Sequence, residues 1–537
     1  MPKILINEVD STSAGTPGRY GNYAVLITGY AGTPVTSKGN VIEPDANNVY
    51  EFSSKGDFEA TIGIVEDVAK KDANGNVVEY HYGNRMAAEL LNLGYQVIYK
   101  VINRISDMNS ENFWGIFKDK ASYDFRFISH GMLETCYDAE VHSALHTRLE
   151  VIEKALAKLA DIETKAAEDV AKDKTLEYLE QCQKYFADLV AGGDTSFIDN
   201  AGSQYSSYIL AAGVDETDIS GETLTGTGLP LDKDEIETRL AEHNNRHFTI
   251  DVFNNINGYI AKLATYRTDD TAVIPGRGDC IALIELDEDT YCEAALNKRP
   301  ETLIVEGIEN MSSITKAEGP NCAMTVPSVY YKMNNKAIKF PGAFHYLACF
   351  MNSLRSGYAE WYAAAGYNRG VSSYAIDHTS VKLGEIAINT LEPRSKSATG
   401  PKFACNVIAN FRGSYYLWGN RTAAELDEND LTAEHFLNIR QLCTTIKKQL
   451  YVACRRFTFD PNSDALWFNF INAITPTLDA MKADQGIRDY KVVKVFTDKK
   501  AALKAKIRII PIEAVEDFDI TVSLEDSFGG VSVTAED

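Results

Sequence analysis

The chain is predicted to be α/β, a mixed α+β arrangement over several domains, on three observations. An unbroken apolar run, Tyr23–Thr28, leads to a helix-spaced stretch Arg85–Leu93, a stop at Gly94 and a β-rich run Tyr95–Ile102. Strand, helix, strand is the order of an α/β layer. Apolar residues recur at steps of three and four between 141 and 190, and three β-rich pieces close the chain. At 537 residues the chain exceeds what one core serves, and about 150 residues per domain implies roughly three or four domains.

Taken in order, Lys3–Val9 reads as a strand on a flexible lead, because the Ser/Thr/Gly/Pro stretch Ser11–Gly18 follows it. Tyr23–Thr28 is apolar throughout, as a strand covered on both faces must be, and breaks at Gly29–Pro34. From about 141 to 190, Leu145, Leu149, Ile152, Leu156 and Leu159 form one seam and Leu176, Leu179, Phe186 and Leu189 a second. The charged stretch Glu163–Lys174 between them suggests an antiparallel helical hairpin, followed by a loop-rich segment Ala191–Asp234. The whole of 137–270 is expected to be an insertion.

α/β character returns with Cys280–Leu286, then Glu301–Glu306, and a helix is expected near Ala343–Met351. Another helix is predicted from Ala433 to Tyr451, capped by Thr432 and lined by Phe436, Ile439, Leu442 or Cys443, Ile446 and Leu450. A further helix, Asp464–Met481, contains Pro476, where a kink is expected. Lys491–Thr497, Lys504–Ile512 and Phe518–Leu524 are strand-like, the last alternating strictly.

Apolar residues make up 45% and charged residues 24%, enough to bury a sizeable core. The net charge of -23 opposes nucleic acid and anionic membranes, so neither is an expected partner. From Asn438 to Arg508, however, 14 Lys/Arg stand against 6 Asp/Glu, a net of +8, which leaves -23 - 8 = -31 for the rest. That segment is either a solvated surface or an attraction between copies or toward an inner tube. Nine scattered cysteines with no CxxC pair make a disulfide framework unexpected, and the apolar neighbours of Cys349, Cys405 and Cys443 suit reduced core thiols. The opening residues lack the basic flank, long apolar run and cleavage site of a signal peptide, and no stretch reaches about 18 apolar residues, so no membrane insertion is expected.

Catalytic and cofactor motifs are sparse. Neither GxxxxGK[ST] nor a strand-to-helix GxGxxG occurs, and Gly29 with Gly32 and Gly276 with Gly278 read as turn glycines, so no cofactor is expected. His142 and His146 have a zinc-like spacing, but Ser143 stands where a zinc hydrolase carries its Glu, and a surface pair is the reading adopted. The acidic run Asp232, Asp234, Glu235, Glu237 lacks the turn Gly and bidentate Glu of a calcium loop and reads as a helix N-terminus. Arg277-Gly278-Asp279 precedes a strand and is expected to pack there. No GxSxG elbow exists. No catalytic or metal-binding residue is assigned, and an enzyme is not expected.

Four stretches in the C-terminal half carry a resemblance. They are Glu360-Trp361-Tyr362-Ala363-Ala364-Ala365-Gly366-Tyr367-Asn368-Arg369-Gly370; Phe403–Thr422, which ends in Trp418-Gly419-Asn420-Arg421-Thr422; Phe436-Leu437-Asn438-Ile439-Arg440-Gln441-Leu442, running on to Phe459-Asp460-Pro461-Asn462; and Gly486-Ile487-Arg488-Asp489-Tyr490. In this order, over about 320 to 520, they resemble the contractile tail sheath family of phages and related injection machines. The opening strand, the apolar strand near 25 and the helix-Gly-strand ending at Ile102 are similar to the family's first part, whereas the helical insertion is not.

The resemblance implies a sheath core of mixed sheets and flanking helices, with an arm and linker at 1–20, an α/β domain at 21–136, a variable insertion at 137–270 on the outer surface, a core at 271–430 and a C-terminal domain with an arm strand at 431–537. It implies hexameric rings stacked around a tail tube in a virion, assembled in the host cytoplasm, with the tube, baseplate and tail terminator proteins as partners. Arm strands are expected at Ile4, Leu5, Ile6, Phe518, Ile520, Val522 and Leu524. Arg440, Lys447, Lys448, Arg455 and Arg456 are expected to face the tube or a neighbouring copy. Trp361, Gly366, Arg369, Gly370, Trp418, Gly419 and Arg421 are structural: glycines for turns and close approach, tryptophans as apolar anchors, arginines for forked bonds to oxygens. Two other classes stay open, an α/β enzyme with a helical lid and another repeating shell or tube protein.

Overall fold

A computed structural model describes residues 23–63, 69–71, 77–103, 105–131, 133–134, 250–266, 272–286, 299–397, 400–428, 431–496, 503–512 and 514. Its strands are β1 Ala24–Gly29, β2 Val49–Phe52, β3 Ala69–Lys71, β4 Val77–His81, β5 Gln96–Val101, β6 Phe127–Ser129, β7 Leu133–Glu134, β8 Ile281–Ile284, β9 Cys322–Val326, β10 Val329–Met333, β11 Lys336–Phe340, β12 Ile376–Thr379, β13 Asn406–Phe411, β14 Ser414–Trp418, β15 Ile487–Val495 and β16 Lys504–Pro511. The helices are α1 Lys55–Thr61, α2 Gly83–Asn92, α3 Glu111–Gly115, α4 Ile250–Ala264, α5 Pro300–Asn310, α6 Gly342–Arg355, α7 Gly366–Arg369, α8 Glu385–Leu391, α9 Leu437–Arg456 and α10 Asp464–Ala483.

The predicted α/β class is what the chain adopts. One sheet of eight strands, ordered β14-β13-β9-β8-β6-β1-β5-β2, forms the body. Its centre, from β13 to β5, is parallel, and β14 and β2 close its two edges antiparallel. Every residue of β1 is buried, which is why its sequence does not alternate: a parallel strand with helices on both faces has no solvent side. Leu26, Ile98, Ile128, Ile284, Met324 and Val407 face one way, against Phe253 and Ile256 of α4 and Ile304 and Ile308 of α5. Val25, Ile27, Val97, Phe127 and Leu283 face the other way, against Met86 and Leu90 of α2 and Phe344, Leu347 and Met351 of α6. The result is a three-layer α/β/α body.

Strands on both sides of 137–270 share this sheet, since β6 pairs with β8, and the last part of that stretch, α4, belongs to a helical layer. Two small sheets, β3-β4-β7 and β11-β10-β12, flank the body. Glu301–Glu306 lies within α5. The helix expected from Ala433 begins instead at Leu437, because Ala433–His435 winds as a 3-10 turn. Thr432 caps that turn together with His435, and Phe436 is extended between turn and helix. Cys280, Cys322, Cys349 and Cys405 are buried, while Cys443 is only half-buried and Cys454 exposed. Among the described residues no helix is long and apolar enough to cross a membrane.

Candidate assembly site

In an open parallel sheet, ligands sit beyond the carboxyl ends of the strands where the strand order reverses. Here that place lies beside β1, which has β5 on one side and β6 on the other. It is filled by protein. Thr28 Oγ1 donates to the His130 carbonyl at 2.9 Å, His130 Nε2 lies 3.1 Å from Asn257 Oδ1, and Asn257 Nδ2 donates to the Glu285 carbonyl at 2.8 Å. His81 Nδ1 accepts from the Gly83 amide at 3.0 Å. A Cβ on Gly83 would lie 1.8 Å from the Thr28 carbonyl oxygen, so only glycine permits this approach. Burial pushes His81 down to about 3, helped by His130, and His130 down to about 4, so both imidazoles are neutral at ordinary pH. Among the described residues no group of three or more His, Cys, Asp or Glu is placed to hold a metal.

The four stretches that carry the family resemblance meet elsewhere, at the junction between the body and a C-terminal module of α9, α10 and the β15–β16 hairpin. Asn438 Nδ2 donates to the Trp361 carbonyl at 3.1 Å, the Asn438 amide donates to Asn420 Oδ1 at 3.0 Å, and Asn420 Nδ2 donates to Asn438 Oδ1 at 2.7 Å. Trp361 is buried with Leu442, Ile446, Leu478, Met481 and Ile487, and its Nε1 donates to the Asp484 carbonyl at 3.0 Å. Gly486 lies flat against the indole, where a Cβ would come within 2.8 Å of the ring. The Arg421 guanidinium, 3% exposed, stacks 5.1 Å from the Phe436 ring and stands 3.5 Å from Glu392.

The remaining structural residues work in the same region. Arg369 Nε donates to the Ala363 carbonyl at 2.7 Å, with its guanidinium over Tyr358 and Tyr362. Gly366 adopts a φ of +81°, and the Leu417 amide on the outer edge of β14 donates to the Gly370 carbonyl at 2.8 Å. A Cβ on Gly370 would lie 2.3 Å from the Leu417 carbonyl oxygen, and one on Gly419 would lie 2.7 Å from the Asn406 Cα, which explains both glycines. Trp418 is half-buried and meets Tyr367 and Phe411 edge-on at 5.1 and 4.9 Å.

The basic residues divide. Lys447 donates to the Gly278 carbonyl at 2.7 Å, and burial lowers its pKa. Lys448 pairs with Asp124 and stands 3.7 Å from Asp279. Both lysines therefore act inside the chain, fastening α9 to the body. Arg440 is half-buried on the same helix. Arg455 stacks over Tyr451 at 5.6 Å and Arg456 is exposed, so these two are at the projecting end of α9. The docking surface under α9 is the Arg277-Gly278-Asp279 tripeptide, packed before β8 as expected. Arg277 holds Asp279 with two bonds at 3.0 and 3.2 Å, donates to the Phe117 and Tyr123 carbonyls at 3.0 and 2.6 Å, and lies over the Phe125 ring at 4.2 Å. Burial would raise the Asp279 pKa, but the charge and bonds of Arg277, with Lys448 and Lys120, outweigh it and hold it at about 2.

Sequence reasoning missed a second fastening. Arg126, fully buried, donates to Gln441 Oε1 at 2.8 Å, to the Gln441 carbonyl at 3.0 Å and to Thr445 Oγ1 at 2.7 Å, pinning α9 over β6. Tyr23 beside it donates to the buried Glu360. The local signal that Arg126 is buried is its place between two aromatic residues, Phe125 and Phe127.

Beyond this junction the module projects. The buried positions of α9 end at Ile446, and Tyr451, Val452, Phe459, Phe468, Phe496 and Ile510 are exposed, more than half of the large apolar residues exposed among those described. The β15–β16 hairpin is a two-stranded sheet whose outer edges pair with no other described strand. It is tied to α10 by Tyr490 to Asp479 at 2.6 Å, Lys482 to Asp489 at 2.9 Å and Lys494 to Asp464 at 3.1 Å. The expected arm residues Ile4, Leu5, Ile6, Phe518, Ile520, Val522 and Leu524 lie outside the described residues, as do His142, His146 and the run Asp232–Glu237.

No family model matches the chain, and no curated protein sequence does. Among solved structures, the chain is similar to one in the contracted-state sheath complex of an extracellular contractile injection system, PVC, at 12% identity, covering 98% of each chain with a TM-score of 0.45. It is similar to a chain in the contracted-state baseplate of the anti-feeding prophage, AFP, at 13% identity, covering 98% of this chain and 97% of that one with a TM-score of 0.45. A chain of the six-fold symmetrised AFP baseplate is 14% identical over 52% of this chain and 66% of its own length, with a TM-score of 0.36.

Proposed function

We propose that the chain is the structural subunit of a contractile sheath, stacked as hexameric rings around a tail tube in a virion or related injection particle. On this reading it assembles in the host cytoplasm, meets the tube, baseplate and terminator proteins, and shortens to drive the tube through a host cell envelope. The observation that carries it is the projecting C-terminal module, with strand edges that pair with no other described strand and exposed aromatic residues on a rigidly fastened base. An unpaired edge invites a strand from another chain, and a cluster of exposed apolar residues marks a surface that another copy covers. The junction that fixes this module is built from the same four stretches that resemble the sheath family.

The strands Lys3–Val9 and Phe518–Leu524 supply the pairing, passing from one copy to the next. The Gly/Ser/Thr/Pro lead Ser11–Gly18 lets a joined copy swing while its strand stays paired. Energy for shortening is stored in the extended lattice during assembly, summed over many small contacts. An enzyme is the weaker reading because the place beside β1 that would take a ligand is occupied by the buried side chains of Thr28, His81, His130 and Asn257. Deleting residues 1–20, or 515–537, is expected to abolish ordered sheaths; sheaths of unchanged length that still contract would refute the arm exchange.

A further inference from the structure

Three cations gather at the amino ends of β6, β8 and β9, the end of the sheet opposite the crevice beside β1. Lys120 stands in the loop before β6, while Arg440 and Lys447 stand about two turns apart on α9, which packs against β8. Arg440 acts on the thiol of Cys322, the first residue of β9. Burial lowers the pKa of Lys447, and repulsion from Arg440 and Lys120 lowers it further. The side chains of Lys120 and Arg440 make no hydrogen bond or ion pair among the described residues, and Arg440 Nε is enclosed without an acceptor. Asp279 is the carboxylate that acts on both Lys120 and Lys447, but Arg277 already holds it in a fork, and Lys448 is shared between it and Asp124. Five cations therefore face two carboxylates. An enclosed N–H without an acceptor and like charges held together both cost free energy, and an anion that enters between them removes both penalties. Lys120 and Arg440 are half-buried and part of Lys447 is exposed, so solvent reaches the place.

We infer that Lys120, Arg440 and Lys447 form a binding site for a phosphate dianion, free or as a monoester, between α9 and the body. A guanidinium offers a planar fork to two oxygens and an ammonium a point charge to a third. A phosphate monoester near neutral pH carries about -1.5 to -2 charges and three strong acceptor oxygens, which matches this set. A lone carboxylate brings one charge and two oxygens, too few for three separate cations. The overall charge of -23 repels anions at a distance, but salt screens it beyond about 10 Å, and at contact the local surplus decides. The site is independent of how copies assemble, because it ties α9 to the loops before β6 and β8 within one chain.

Isothermal titration calorimetry of the full chain with sodium phosphate at pH 7, at an ionic strength held constant with sodium chloride, tests this. Saturable one-to-one binding is expected, together with a thermal unfolding midpoint that rises as phosphate is added. Arg440→Gln is expected to weaken binding about tenfold or more, since it removes the enclosed donor. Lys120→Gln, in a loop, is the milder variant, with a loss of about twofold to fivefold. Circular dichroism checks that both keep the fold, and Lys494→Gln, at the far end of β15, is the control whose affinity stays that of the native chain. Glycerol 2-phosphate binding as tightly as phosphate would assign the site to monoesters as well as the free ion, and binding of phosphate alone would assign it to the free ion. Four results would each overturn the inference: no saturable heat above the chloride background, unchanged affinity in both Arg440→Gln and Lys120→Gln, an equal loss in Lys494→Gln, or acetate binding as tightly as phosphate.

Discussion

Replacing Arg277 with leucine is expected to lower the stability of the chain by about 3–5 kcal/mol, the usual cost of breaking a buried ion pair from one side. The variant would leave the Asp279 carboxylate buried without its bidentate partner, and would strip the Phe117 and Tyr123 carbonyls of their donor. Lys448, at 3.7 Å from Asp279, is too far and too few-handed to replace a planar fork. The loss is read by urea denaturation. The same pair sets an acid limit. The ordinary value for Asp279 is 3.8 and the folded chain holds it at about 2, so the pair's contribution is complete above 3.8 and disappears as pH falls from there to about 2. In Asp279→Asn that part of the pH dependence vanishes, and an unchanged acid profile would contradict the assignment.

Trp361→Ala is expected to cost about 3–5 kcal/mol as well, and to do so locally. The indole fills the space between α9, α10 and the start of β15, and its Nε1 satisfies the Asp484 carbonyl. Removing it opens a cavity at the point where the module joins the body, while the eight-stranded sheet keeps its own two clusters. Limited proteolysis should therefore cut first within 457–512 in the variant, with the body surviving as a resistant fragment. Uniform loss of resistance over the whole chain would show that Trp361 supports the body and not the junction.

Elements whose signal is local were legible in the sequence. β1 was readable because an apolar run without alternation suits only a strand covered twice, and α2 with β5 because Gly94, at a φ of +85°, stops one and starts the other. α6, α10 and the second strand of the C-terminal hairpin stand close to where the sequence put them, whereas the first strand begins at Ile487, four residues before the expected Lys491. Pairing between distant strands leaves no such mark, so nothing in Phe127–Ser129 announced that it pairs with Ile281–Ala282 across the stretch 137–270. Charge was the least legible property. Lys447 and Lys448 look like a solvated basic step, yet both are spent on Gly278, Asp124 and Asp279, because the helix that bears them lies on the body at that turn. Conversely, Trp361 and Gly486 were singled out separately, and only the fold puts the glycine against the ring.

Negative-stain electron microscopy of the purified full chain tests the polymer most directly. Wide hollow cylinders built of stacked rings are expected. Lone copies at every concentration, turning over a small molecule in a defined cleft, would contradict it.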